Sequence, residues 1–109
     1  MVVEDNLYAA MALITIFEQY SLRCNMVSGG REAVNMVKQR YEKSQTSYKL
    51  IIMDLYLPEL DGFKATEQIF QFLRTKFSEK DLPYICLLTQ NNRQSCAQRA
   101  LEMGFRKVL

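Results

Sequence analysis

The sequence predicts an α/β fold, a doubly wound sheet of five parallel strands with helices on both faces. Two observations carry this. Short apolar runs alternate with longer segments whose apolar residues recur at helical spacing, giving β-α-β-α-β-α-β-α-β. The two strongest runs, Leu50-Ile51-Ile52-Met53 and Pro83 to Leu88, are apolar without alternation, which is the pattern of parallel strands buried on both sides.

Met1 to Glu4 begins apolar and turns acidic, as a buried strand end would. Asn6 to Tyr20 has helical spacing and no Gly or Pro, with Asp5 or Asn6 as its cap. Leu22 to Val27 reads as a second strand, closed by the turn Ser28-Gly29-Gly30. Glu32 to Lys43 reads as a helix with Ala33, Val34, Val37 and Tyr41 inward. Lys49 to Met53 is the third strand, and Leu57-Pro58 and Asp61-Gly62 mark the loop after it. Phe63 to Phe77 reads as a helix with Ile69, Phe70, Leu73 and Phe77 on one side. Pro83 to Leu88 is the fourth strand. Asn91 to Met103 is a more polar helix resting on Ala97, Ala100, Leu101 and Met103, and Phe105 to Leu109 begins a fifth strand.

Composition narrows the function. The 109 residues amount to one domain, and 49% apolar content supports a core without staples. With 14 basic and 12 acidic residues the net charge is +2, too balanced for a nucleic-acid footprint. There is no histidine, which removes Ser-His-Asp and Cys-His catalysis, His-ligated metals and a phosphohistidine donor role. Cys24, Cys86 and Cys96 form no C-x-x-C pair, so they read as free thiols of a reducing compartment. The longest apolar-rich run, Tyr8 to Phe17, falls short of the ~20 residues a bilayer helix needs. No basic stretch leads into an apolar one at the start, so no signal peptide is read. The expectation is an intracellular module without membrane contact of its own.

In open α/β sheets ligands bind beyond the carboxyl ends of the strands, near a switch in strand order. Glu4 and Asp5 follow the first strand here, Ser28, Gly29 and Gly30 the second, Asp54 ends the third and Thr89 the fourth. Three carboxylates in one crevice repel, and a divalent cation relieves them. Oxygen ligands with room for water suit Mg²⁺. Beside such a cation a strand-end Asp is suited to phosphoryl transfer, with Thr89 placed to bond a phosphoryl oxygen.

These residues resemble the receiver domain of two-component response regulators, from Val2 to Leu109. Val2-Val3-Glu4-Asp5-Asn6 is similar to the family's acidic first-strand motif, and in this form to receivers attached to hybrid histidine kinases. Met53 to Gly62 (Met-Asp-Leu-Tyr-Leu-Pro-Glu-Leu-Asp-Gly) is similar to its phosphoacceptor segment, the most specific match. Leu87-Leu88-Thr89 resembles the fourth-strand switch motif, and Met103-Gly104-Phe105 the turn before the fifth strand. The resemblance implies a flavodoxin-like sheet in strand order 2-1-3-4-5. It implies that Asp54 takes a phosphoryl group from a phosphohistidine on a histidine kinase or a histidine-containing phosphotransfer domain. It implies Mg²⁺ bound by Asp5, Asp54 and the Tyr56 backbone carbonyl, with Glu4 assisting through water, and Thr89 sensing the phosphoryl group. The missing histidine then assigns a side in the relay: this chain is the aspartate half, not an enzyme in itself.

The sequence also departs from the family. The family's Lys-Pro after the fifth strand is not reached by Leu109, and Lys107 falls too early to be it. The chain therefore reads as a single receiver domain over 1–109, truncated at its C-terminus and missing the closing helix. Gln90 stands where a small residue is usual, and Val108 where a switch aromatic often stands. These two residues motivate an alternative, a degenerate receiver that binds proteins independently of phosphorylation. A haloacid-dehalogenase type phosphatase also uses a strand-end Asp but wants a second Asp two residues on, where Tyr56 stands.

The first helix is apolar on more than one side. Ala9, Ala12, Leu13, Ile16, Phe17 and Tyr20 form a stripe expected to face the sheet. Leu7, Ala10, Met11 and Ile14 form a second stripe, expected to dock a partner helix beside the acidic rim. Lys38, Arg40 and Lys43 read as a solvated helix face.

Overall fold

A computed structural model describes residues 1–88, 93–105 and 107–108, the side chains among them being those of 1–88 and 98–105. The elements are β1 (Val2–Val3), α1 (Leu7–Gln19), β2 (Met26–Val27), α2 (Gly30–Ser44), β3 (Leu50–Asp54), α3 (Gly62–Arg74), a 3₁₀ turn (Glu79–Asp81), β4 (Tyr84–Leu88), α4 (Arg93–Met103) and β5 (Lys107–Val108). All strand pairings are parallel, in the order β2-β1-β3-β4, with the backbone of β5 paired to the outer edge of β4. The order of the first four strands is the expected one.

Strand pleating sends alternate residues to opposite faces. Val3, Ile51, Met53, Ile85 and Leu87 join one cluster with Ala33, Val34 and Val37 of α2, Phe63, Ile69, Phe70 and Leu73 of α3, and Ala100 of α4. Val2 and Ile52 are buried on the opposite face, outside that cluster. Helix α1 packs there, against β1. Ile51, Ile52 and Met53 are all buried, as an unbroken apolar strand requires.

Helix α1 rotates differently from the expected stripe. Ala10 is fully buried, while Ile16 and Tyr20 of the stripe assigned to the sheet are exposed. A small side chain at the contact lets a helix come close to the strands, so Ala10 marks the inward line. Leu13, Ile14 and Phe17 share it, each half-buried. In α4 Ala100 is buried as expected and Leu101 is exposed. The α3 segment ends at Arg74, short of Phe77, and the 3₁₀ turn that follows was not anticipated. Strand β2 keeps only Met26 and Val27 of the six residues expected.

Local chemistry explains the helix starts. The Asn6 carboxamide oxygen accepts from the Ala9 N–H at 3.1 Å, capping α1, and Asp61 Oδ1 accepts from the Lys64 N–H at 2.8 Å, capping α3. Helix α2 starts at Gly30, earlier than expected, with Gly29 as its cap residue; a side chain at position 30 has no room, since a Cβ would overlap the Leu60 carbonyl oxygen. Tyr41 of α2 meets Phe72 and Phe77 edge-on, both at 5.8 Å between centroids, and so ties α2 to the end of α3.

Candidate functional site

Parallel strands put their carboxyl ends on one rim, and the order β2-β1-β3 places the switch point between β1 and β3. Glu4 and Asp54 stand one residue beyond the Val3–Met53 pair, which makes them neighbours across those strands. Glu4, Asp5 and Asp54 each offer one carboxylate oxygen, and these oxygens lie within 4.8 Å of one another. The three acids named from the sequence are thus brought together.

Backbone amides orient two of them. Glu4 Oε1 accepts from the Asn6 N–H at 3.0 Å, and Asp54 Oδ1 accepts from the Tyr56 N–H at 3.2 Å. Around them the Leu55 N–H donates to the Leu88 carbonyl at 3.1 Å and the Gly62 N–H to the Leu55 carbonyl at 2.9 Å. Gly62 is needed for that fit, since a Cβ there would overlap the Asp54 carbonyl oxygen.

The cluster strains its own charges. Burial pushes the Glu4 carboxyl up to about 7; the Asn6 amide works against this, and the charge and contact of Asp54 add to it. Burial also raises Asp54, with the Asp5 charge acting the same way; the Tyr56 amide and the Glu4 carboxyl oppose the rise. Glu4 is buried, Asp54 half-buried and Asp5 exposed, so the group opens to solvent on one side. Oxygen-only donors, mutual repulsion and an open side fit a hard divalent cation that keeps some of its water.

A hollow of about 230 Å³ lies beside the acids, lined by Glu4, Asp5, Ser28 and Glu32 among others. Glu32 was not singled out from the sequence. Its Oε2 accepts from the Ser28 N–H at 3.4 Å and its Oε1 from the Ser28 hydroxyl at 3.4 Å, adding a fourth acid to the rim. Its spacing of four from Ser28 does not match the three-residue capping box, so no sequence signal marked it.

The loop from Leu55 to Asp61 is held from two sides. Glu59 sits at φ 65°, a left-handed conformation uncommon for a side-chain-bearing residue, and Arg31 Nε lies 3.7 Å from its carboxylate. Leu55, Leu57 and Leu60 anchor the same loop in the core. Tyr56 itself is exposed. Thr89 and Gln90 lie outside the described residues, as does the side chain of Val108.

The expected docking stripe is only partly a surface. Leu7 and Met11 are exposed at 55% and 52%, Ile14 is half-buried, and Ala10, being fully buried, is not part of it. Tyr8, the residue after Leu7, is 84% exposed.

An open parallel sheet with an acidic cleft at its switch point defines the class of protein. The profile of the response regulator receiver domain matches residues 1–109, and the chain belongs to that family. It is similar to hybrid signal transduction histidine kinase M of Dictyostelium discoideum, 32% identical over 112 residues, which take in 100% of this chain and 4% of that protein. The chain thus spans a small part of the curated relatives it matches. Among solved structures it resembles the receiver domain of a Saccharomyces cerevisiae response regulator, crystallised with a histidine phosphotransfer signalling protein. That match has a TM-score of 0.82 and 30% identity, over 99% of this chain and 74% of that one. It also resembles the receiver domain of a Pseudomonas aeruginosa sensor histidine kinase, solved with a magnesium ion coordinated in its active-site cleft. Here the TM-score is 0.75 and the identity 27%, over 99% of this chain and 80% of that one. Two-component phosphorelay signalling is therefore the setting of this chain. Among the described residues no helix is long and apolar enough to cross a membrane.

Proposed function

We propose that this receiver domain is the phosphoacceptor of a His-to-Asp relay, with Asp54 as the residue phosphorylated. The observation that carries this is the convergence of Glu4, Asp5 and Asp54 within 4.8 Å at the switch point. An Asp54 carboxylate oxygen attacks the phosphorus of a phosphohistidine. The P–N bond breaks, the imidazole leaves and takes up a proton, and an acyl phosphate remains on Asp54. The Tyr56 N–H on Oδ1 holds the carboxylate in place for the attack. Asp5, Asp54 and the Tyr56 carbonyl would hold Mg²⁺, with Glu4 acting through water. When bound, the cation offsets charge on the carboxylates and on the phosphoryl oxygens. Thr89 is assigned to the phosphoryl oxygens from its sequence position alone. We read the domain as a signalling phosphoacceptor and not as an enzyme.

The partner is a histidine kinase or a histidine-containing phosphotransfer domain, docking on Leu7, Met11 and the edge of Ile14, with Tyr8 beside them. The yeast neighbour in complex with a phosphotransfer protein supports this reading.

Mass spectrometry after incubation with Mg²⁺ and acetyl phosphate is expected to show the gain of one phosphoryl group, absent in Asp54→Asn. Failure to label a chain carried past Leu109 through the family's lysine overturns the proposal. Partner binding unaltered by Asp54→Asn and by a chelator would favour the phosphorylation-independent reading instead.

A further inference from the structure

The pole of the molecule opposite the acidic rim carries a second organised surface. Three hollows, of about 330, 390 and 510 Å³, open there and share Arg40 and Tyr48. Tyr48 is buried, and its hydroxyl accepts a hydrogen bond from the Asn25 carboxamide at 3.1 Å. Against this fixed ring the Arg40 guanidinium lies 4.5 Å from the centroid. A guanidinium held over a ring face keeps N–H donors for a carboxylate, which it can grip two oxygens at a time.

Cations surround this fork. Lys43 lines the first hollow, Lys49 the second and third, and Lys80 the third. None of these four cations has an ion-pair partner within 4.0 Å among the described residues, where the pairs are Arg31–Glu59 and Arg74–Glu79. Lys43, in the last turn of α2, answers the helix dipole. Lys49 precedes β3 and Lys80 sits in the 3₁₀ turn, where no long helix accounts for them. Asp81 is the one acid among the described lining residues, and it accepts from the Ser78 hydroxyl at 3.0 Å. The second hollow supplies an apolar wall from Phe17, Leu22, Leu50 and Ile52, while the first and third mix Met36, Phe77 and Leu82 with polar side chains.

We propose that this pole, centred on the Arg40–Tyr48 stack with Lys43, Lys49 and Lys80, binds an acidic peptide segment of a partner protein that also carries an apolar anchor. Charge complementarity selects carboxylates, and the apolar wall of the second hollow selects a peptide with an apolar side chain over a bare polyanion. A nucleic acid fits less well, because the net charge of the chain is only +2 and its other pole is acidic. The surface lies at the amino ends of the strands, so its occupancy is independent of Asp54 chemistry.

The test is fluorescence anisotropy with a labelled short peptide of Asp and Glu around one Phe, at low and raised salt. Binding is expected, and Arg40→Gln is expected to weaken it by about tenfold or more. Lys49→Gln combined with Lys80→Gln acts on exposed residues outside the core and is expected to weaken it similarly. Arg40→Lys keeps the charge but loses the fork, and is expected to fall between. Labelling of Asp54 by acetyl phosphate should be unchanged in all three. No binding, binding insensitive to the Lys49→Gln, Lys80→Gln pair, or an equal loss in Lys38→Gln away from the hollows overturns the proposal. So does a DNA oligonucleotide of equal charge that binds as tightly as the peptide.

Discussion

Glu4 and Asp54 stand side by side because each follows the Val3–Met53 pair of adjacent parallel strands. Burial lifts both carboxyls, and each responds to the other as well as to Asp5. Asp54→Asn removes one charge but leaves the burial in place. The Glu4 carboxyl is therefore expected to fall below its value of about 7 without returning fully to the ordinary 4.5. Carboxyl ¹³C shifts followed by NMR through a pH titration check this; an unmoved Glu4 would show that the pair is not coupled. The acids were legible in the sequence because a strand-end position is set by strand polarity alone. Glu32 was not, because its place on the rim depends on how α2 starts. Ser28-Gly29-Gly30 reads as a turn in the sequence, whereas α2 already begins at Gly30 and turns Glu32 back onto Ser28.

The contact between α2 and the loop after β3 is set by two glycines. Gly30 lies against the Leu60 carbonyl and Gly62 against the Asp54 carbonyl, so that loop is pressed between two helix starts. Gly30→Ala is expected to destabilise the fold by about 1–3 kcal/mol, as overpacking does, read as a lower midpoint in urea. Because Leu60 must shift, Mg²⁺ affinity measured by calorimetry should weaken too. Asn6→Ala, which removes the α1 cap, is expected to cost about 1 kcal/mol while leaving Mg²⁺ affinity nearly unchanged. If both variants lose affinity equally, the Gly30 contact has no special role. The strands with unbroken apolar runs were plain in the sequence, and so was the inward line of α2. The rotation of α1 was not. Its apolar residues surround too much of the helix for spacing to choose a face, and the small Ala10, not the large Ile16, lies against the strands.

At the scale of the whole molecule, the raised carboxyls of the acidic cleft couple folding to pH, and the proposed cation would couple it to metal. A carboxyl whose value is raised by folding binds its proton more tightly in the folded state. The stability it contributes is fully present below the unfolded value and is lost as pH rises through the folded one. For Glu4 this window runs from about 4.5 to about 7, and Asp54 shifts in the same direction. Metal-free protein is therefore expected to lose thermal stability from pH 5 to pH 8 by more than Glu4→Gln does, the difference in Tm being a few degrees. A divalent cation needs the charged carboxylates and competes with those same protons. Mg²⁺ at about 100 times its Kd would add roughly 2.7 kcal/mol to the folded state, and that gain is expected at pH 8 and largely absent at pH 5. Thermal melts of both proteins at the two pH values, with Mg²⁺ and with chelator, separate the two effects. An Mg²⁺ gain of equal size at both pH values would place the cation away from Glu4 and Asp54. A gain confined to pH 8 that vanishes in Asp54→Asn would tie the metal, the proton and the acceptor carboxylate to one cleft.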